Sequence, residues 1–339
     1  MEQNKIMIDY THRQAGHCES GTTSNLFKHY GLDLSEPMAF GIGNGLYFSY
    51  IPFLKVQYAP MMSFRNIPNT VFRRATRRLG AEATVIRKFK TQKESMDALD
   101  RNLEKGIPTG MQVGVFHLTF FPPEYRMQYN MHNMVAYGRD GNLYHISDTV
   151  LEQPQTITYE DLQRVRWAKG PFSPNGKMYW ITSVDKNVDL RKAVAEGIAK
   201  TVYEMIKIPF PLIGTKGIRV LAKDVRKWPA KLGNEKASFY LGQILRMAEE
   251  VGTGGAGFRF IYGAFLKEAG ERFNSPDLLE TADMMGKTAN KWREFSYIGA
   301  RNCKNRSEPV EDYGMLGDML VEISNMEEAI YKKLEKAKF

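Results

Sequence analysis

The chain changes its hydrophobic period once, and that change limits its folds more than any other feature. Over the first 184 residues, apolar residues come in short runs separated by turn signals. After Ser183-Val184-Asp185-Lys186-Asn187 they recur at helical spacing. This predicts a mixed α+β domain over residues 1–184 and an all-α domain over 185–339, and 339 residues suffice for two such cores. Helices are expected from Cys18 to Gly31, Thr70 to Leu79 and Gln92 to Glu104. Strands are expected from Ala83 to Phe89, Met111 to Leu118, His132 to Gly138, Leu143 to Ser147 and Lys177 to Thr182. In the second half Phe258, Ile261, Tyr262, Phe265, Leu266 and Ala269 fall at i, i+3, i+4, i+7, i+8 and i+11, one apolar stripe along a helix. Leu316, Met319, Leu320, Ile323, Met326 and Ile330 make another, which either caps the bundle or pairs with a second copy in a homodimer. Breaks at Pro209 to Gly217, Gly252 to Gly257 and Pro309 divide this half into five or six helices.

At 43% hydrophobic and 25% charged, the composition is that of a folded chain and excludes a disordered one. Two cysteines, Cys18 and Cys303, exclude a disulfide framework and fit a reducing compartment. The polar start Met1-Glu2-Gln3-Asn4-Lys5 and the lack of any run of about 18 apolar residues lead to the expectation of a cytoplasmic protein with no membrane partner. The net charge of +9 is locally concentrated: Arg73, Arg74, Arg77, Arg78, Arg87, Lys88, Lys90 and Lys93 face a single acid, Glu82. They form either a solvated surface or a docking patch for an anionic partner. A nucleic acid is not expected, because no binding motif accompanies the charge.

Cys18 lies where a loop enters a helix, and the free N–H groups there favour a thiolate. A base is needed. His132 opens a strand that turns through Arg139-Asp140-Gly141 and returns as Leu143 to Asp148. A three-residue loop closed by Gly141 puts 132 opposite 148 on one face, so that Asp148 orients the His132 ring; a two-residue loop splits the pair between faces. A helix-start Cys, then a distant His and Asp on adjoining strands, is the order of papain-like thiol enzymes. His17 and His145 are read as structural and Cys303 as incidental. Gln14 is a candidate oxyanion donor beside the Cys18 backbone N–H. The run Gly41-Ile42-Gly43-Asn44-Gly45-Leu46 lacks the pattern of a dinucleotide site; Gly43, Asn44 and Gly45 either let backbone approach a ligand or strand or serve a turn. No ligand spacing suggests a metal.

These residues carry a resemblance. His17-Cys18-Glu19-Ser20-Gly21, the segment Ser35 to Gly45, the segment His132 to Asp148 and the segment Gly252 to Ala269 together resemble the family of the butirosin biosynthesis acyltransferase over nearly the whole chain. The resemblance implies a papain-like N-terminal domain, a helical C-terminal domain, and transfer of an acyl group from an acyl carrier protein, or a similar thioester donor, to an amine acceptor. It makes Cys18 the nucleophile, His132 the base and Asp148 the third member, with no cofactor beyond the phosphopantetheine of the donor. Arg259, Tyr262 and Glu268 in the last segment are candidates for the acceptor pocket, with core or interhelical roles as the alternative. Arg73, Arg74, Arg77 and Arg78 offer the acidic carrier protein a docking surface. Two rivals stand beside this reading: a cysteine peptidase or amidase with water as acceptor, and a non-catalytic binding protein on the same fold.

Overall fold

The structure, a computed structural model, describes residues 5–56, 58–304 and 312–339; the N-terminal residues 1–4 and the expected break at Pro309 lie outside the described residues. In chain order its elements begin with β1 (Ile6–Met7), α1 (Cys18–His29), α2 (Glu36–Ile42), β2 (Leu46–Val56), β3 (Ala59–Arg65) and α3 (Thr70–Arg78). There follow β4 (Glu82–Ile86), α4 (Gln92–Glu104), β5 (Thr109–Val113), β6 (His132–Asp140), β7 (Leu143–Ser147), β8 (Gln155–Thr158), α5 (Tyr159–Arg166) and β9 (Met178–Ser183). The remainder is helical: α6 (Leu190–Val202), α7 (Gly214–Leu232), α8 (Asn234–Glu249), α9 (Arg259–Phe273), α10 (Pro276–Cys303) and α11 (Tyr313–Leu334). Among the described residues no helix is long and apolar enough to cross a membrane.

By their contacts the residues form two units, Met1–Ala39 with Val71–Asp189, and Phe40–Thr70 with Leu190–Phe339. The change of period near residue 185 lies close to the observed division, but residues 40–70, expected in the first domain, belong to the second. Their aromatic side chains explain this: Phe40 stacks on Phe258 at 5.4 Å, and Phe64 meets Trp292 edge-on at 5.3 Å.

In the first unit an antiparallel sheet runs in the order β4-β9-β5-β6-β7-β8, with β1 also paired to β6. Helix α1 packs on one face, with residues Cys18 through Phe27 all buried. A helix enclosed on every side needs partners for its polar groups rather than an apolar stripe. Thr23 donates to the Glu19 carbonyl, Ser24 to the Leu34 carbonyl and Asn25 to the Arg13 carbonyl. The strand expected from Met111 to Leu118 ends at Val113. There the Gly114 N–H leaves the ladder for the Val165 carbonyl, and the Val115 N–H bonds the Tyr129 carbonyl.

The β6–β7 hairpin differs instructively from expectation. Its loop has two residues, not three, since Asp140 pairs with Leu143 and Gly141 takes a φ of +56°. A β-bulge at Tyr137 then shifts the register, so that Ala136 pairs with Ile146 and Val135 with Ser147. The bulge adds one residue to one strand and so reverses the facing of everything before it. His132 and Asp148 return to a common face for a different reason from the one expected.

In the second unit α7 packs on α11 and α10 on α9, and the β2–β3 hairpin packs on α7 and α8. At its centre Arg259, fully buried, forms a forked ion pair with Glu327 at 2.9 and 3.1 Å, and the Trp292 indole N–H donates to the same carboxylate at 2.8 Å. Among the described residues this half has six α-helices, within the five or six expected.

Candidate functional site

The site is built where α1 meets the sheet end of the first unit. His17 caps α1, its Nδ1 accepting from the Ser20 N–H. The Glu36 carboxylate accepts the Gly16 N–H at 2.9 Å, the His17 N–H at 2.7 Å and the Ser20 hydroxyl at 3.1 Å. Burial raises the Glu36 pKa against these three bonds. The loop before Cys18 is therefore pinned by a carboxylate, and His17 is spent on the cap. Gly21 lets α1 approach the strand exit after β7: a Cβ there would lie 2.4 Å from Ala15 Cβ and 2.7 Å from Thr149 Oγ1.

This approach sets Cys18 at the start of β6. His132 Nε2 lies 2.6 Å from Asp148 Oδ2, and the ring also hydrogen-bonds the Cys18 side chain. With Nε2 on the carboxylate, Nδ1 is the nitrogen left for the thiol. His132 is 5% exposed and Asp148 0%, so a charge on either must be answered by a partner. For His132, burial works against the imidazolium, but the Asp148 carboxylate and the Cys18 side chain outweigh it and raise the pKa to about 10. The arrangement favours an imidazolium beside sulfur at neutral pH. Phe121 meets the His132 ring at 5.6 Å, and its loop is folded by Arg126, which donates to the Phe121 and Thr119 carbonyls.

One residue escapes the sequence reading. The Asn133 Nδ2 donates to Cys18 Sγ at 3.7 Å. Its orientation is fixed twice, since Nδ2 also donates to the Met131 carbonyl at 3.1 Å and Oδ1 accepts from the Tyr179 hydroxyl at 2.8 Å. Strand alternation placed Asn133 on the other face from His132, and nothing in the spacing reveals that a thiol at the strand's start meets both. Gln14, the expected oxyanion donor, is exposed, with no hydrogen bond to Cys18 among the described residues. The side-chain amide that reaches Cys18 among the described residues is that of Asn133.

The other candidates lie elsewhere. Gly43, Asn44 and Gly45 are buried in the second unit. Asn44, at a φ of +52°, donates to Thr201 Oγ1 at 2.9 Å, and a Cβ on Gly45 would lie 2.3 Å from the Phe40 ring. This run is a packed turn, not a ligand loop. Arg259 spends its donors on Glu327 and the Gly257 carbonyl, and Tyr262 is fully buried, so neither lines an acceptor pocket. Glu268, six residues after Tyr262 and half-buried, points from another side of α9. On α3, Arg73 and Arg77 are exposed while Arg74 and Arg78 are half-buried. His145 contacts the Tyr137 ring, and Cys303 donates to the Ser238 carbonyl. No group of three or more His, Cys, Asp or Glu side chains among the described residues is placed to hold a metal ion.

Residues 17–149 match the family described as butirosin biosynthesis protein H, N-terminal, and residues 160–334, more than half of the chain, match a domain of unknown function (DUF4872). No curated protein matches the chain. A crystal structure of a C39-like peptidase from Bacillus anthracis is similar over 54% of this chain and 100% of its own, with 12% identity and a TM-score of 0.39.

Proposed function

The chain belongs to the family of the DUF4872 domain and carries a butirosin biosynthesis protein H N-terminal domain, and we propose that it is a cysteine-dependent acyltransferase moving an acyl group from a thioester donor to an amine. The observation that carries this reading is His132, held between Asp148 and Cys18 with its pKa raised to about 10. A thiol so paired enters the reaction as thiolate.

The Cys18 thiolate attacks the donor carbonyl, and the negative charge passes to the carbonyl oxygen. The Asn133 Nδ2–H and the backbone N–H of Cys18 at the start of α1 are the donors for that oxyanion. The intermediate collapses by breaking the bond to the donor sulfur, which leaves with the His132 proton, and the acyl group remains on Cys18. An amine then attacks this second thioester while neutral His132 takes its proton. Collapse expels the Cys18 thiolate beside the restored imidazolium, and the amide departs. Thiol for thiol, the first step is near balance, and amide formation draws the sequence forward. The donor is an acyl carrier protein or a comparable thioester. The exposed cations Arg73, Arg77, Arg87, Lys88 and Lys90 form no ion pair among the described residues and suit an acidic carrier.

The test is intact mass after incubation with an acyl thioester and no amine. A single acyl adduct is expected on the unmutated chain and none on Cys18→Ala, and a primary amine should discharge it faster than water. Discharge by water as fast as by every amine tried favours the hydrolase, absence of an adduct favours the non-catalytic binder, and full transfer by Cys18→Ala overturns covalent catalysis.

A further inference from the structure

A row of polar side chains crosses the sheet of the first unit at the end where Cys18 sits. Asn133 on β6 pairs with Gln112 on β5. The Gln112 N–H bonds the Lys177 carbonyl just before β9, and Lys177 Nζ donates to Gln112 Oε1 at 2.8 Å. On the other side, Arg87 follows Ile86, the last paired residue of β4, and Lys177 precedes Met178, the partner of Ile86. Directly opposed residues project from one face, so Asn133, Gln112 and Lys177 follow one another from the thiol towards the edge strand, where Arg87 ends β4. At about 4.8 Å per strand, three steps span about 14 Å.

The outer end of this row is set against itself. Like charges brought together repel, and here Arg87 beyond the end of β4 and Arg73 of α3 are both close enough to act on the Lys177 ammonium. Burial first, and then these two guanidinium groups, lower the Lys177 pKa, against the attraction of Glu19. Glu19 Oε1 also accepts the Val71 and Phe72 N–H groups at the start of α3, which brings that end of α3, with Arg73, towards Glu19. Among the described residues Lys177 Nζ hydrogen-bonds only a neutral amide, and neither Arg73 nor Arg87 makes an ion pair.

We propose that Arg73, Arg87 and Lys177 form an oxyanion subsite that holds the phosphate of a phosphopantetheine-borne acyl thioester while Cys18 attacks its carbonyl. The inference rests on the thioester-donor reading above and deepens it. Such a donor has its reacting carbonyl at one end and a phosphodiester at the other, as the row has a thiol at one end and three cations at the other. Two guanidinium groups and an ammonium suit a phosphate by geometry and charge.

Calorimetry on the Cys18→Ala chain tests the subsite without turnover, using phosphopantetheine, pantetheine and inorganic phosphate as probes. Phosphopantetheine is expected to bind about tenfold or more tightly than pantetheine, with inorganic phosphate competing. Arg87→Gln and Lys177→Met should each close most of that gap, whereas Lys105→Gln, an exposed cation at the end of α4, should leave it. Unchanged melting temperatures identify the variants as folded, and Arg87, being exposed, gives the cleaner one. Equal binding of phosphopantetheine and pantetheine, or an equal gap in Arg87→Gln and Lys105→Gln, overturns the subsite. Phosphate-dependent binding with no acyl adduct on the unmutated chain keeps the subsite and overturns the acyltransferase, so the two ideas fail separately.

Discussion

The substitution Asp148→Asn isolates the charge that holds the site. It preserves the size of the side chain and the Oδ1 acceptor of the Val150 N–H, and it removes the carboxylate 2.6 Å from His132 Nε2. Burial, the largest influence on this ring, pushes its pKa down from 6.5; Asp148, with Cys18, reverses that to reach about 10. A hydrogen bond to a charged group contributes about 1.5–3 kcal/mol, and one pKa unit corresponds to about 1.36 kcal/mol. Loss of the charge should therefore lower the His132 midpoint by at least about one to two units, with burial still acting downward. The sign for stability follows from the raised value. The folded chain keeps this proton up to about pH 10 while the unfolded chain releases it near 6.5, so the contribution is full below pH 6.5 and is lost as pH rises through about 10. Asp148→Asn should narrow that window from its upper end.

Histidine ring resonances followed by NMR from pH 5 to 11 give the midpoint directly, and melting temperatures over the same range give the linked stability. The alkylation rate of Cys18 near neutral pH supplies the chemical readout and should fall about tenfold or more in the variant, as the imidazolium beside the sulfur is lost. A wild-type His132 midpoint at or below 6.5 would refute the reasoning, because burial would then have won. So would a variant midpoint unchanged near 10.

Two further outcomes are expected. Asn133→Ala should lower the rate of adduct formation on Cys18 by about 10²-fold, the loss typical of one oxyanion donor, while alkylation by a reagent that forms no oxyanion changes little; equal loss in both assigns Asn133 to thiol positioning instead. Deleting Tyr137 removes the bulge and turns His132 to the other face of β6, so Cys18 alkylation should fall about tenfold or more, and one residue added to the loop after Asn142 should restore it; full reactivity in the deletion alone contradicts the parity argument.

Much of the site was legible because its signals are local. A loop entering a helix locates Cys18, and two runs of strand-forming residues about a glycine locate β6 and β7. Helix α4 carries its own start in Thr91, whose hydroxyl accepts the Glu94 N–H. Thr158 gives the same signal for α5, overlooked because the segment is short. Residues 40–70 were misplaced for a non-local reason. Pro52 and Pro60 argue against strands, and nothing in the run from Phe40 to Thr70 tells that its aromatic residues pack on Phe258 and Trp292, more than 200 residues away in sequence. The glycines of Gly41 to Gly45 leave two alternatives, the approach of a ligand or strand and a plain turn, and the groups that press on the turn they form are rings of the protein's own core: a Cβ on Gly41 would lie 2.1 Å from the Phe265 ring. Arg259 leaves two alternatives in the same way, since a charged residue within an apolar stripe marks either a ligand or a buried pair; the pair is the one observed, with Glu327 distant in sequence.

The hairpin shows where reasoning by register needs one more piece of information. Facing depends only on whether the sum of paired residue numbers is even or odd. The expected three-residue loop makes it even, the observed two-residue loop makes it odd, and the bulge at Tyr137 makes it even again. Loop chemistry alone therefore says nothing about the face of a residue several positions away unless the strand between is known to be regular. That irregularity has its own mark in the sequence. Gly138, within an otherwise bulky strand, is the kind of interior glycine that signals a bulge or a close backbone approach, and here it signals both. A Cβ at Gly138 would lie 2.8 Å from the Ile6 carbonyl oxygen of β1, and the neighbouring Tyr137 carbonyl accepts the Ile8 N–H. The N-terminal strand thus clamps the bulge from outside, so the geometry joining His132 to Asp148 depends on a segment that precedes both by more than 120 residues.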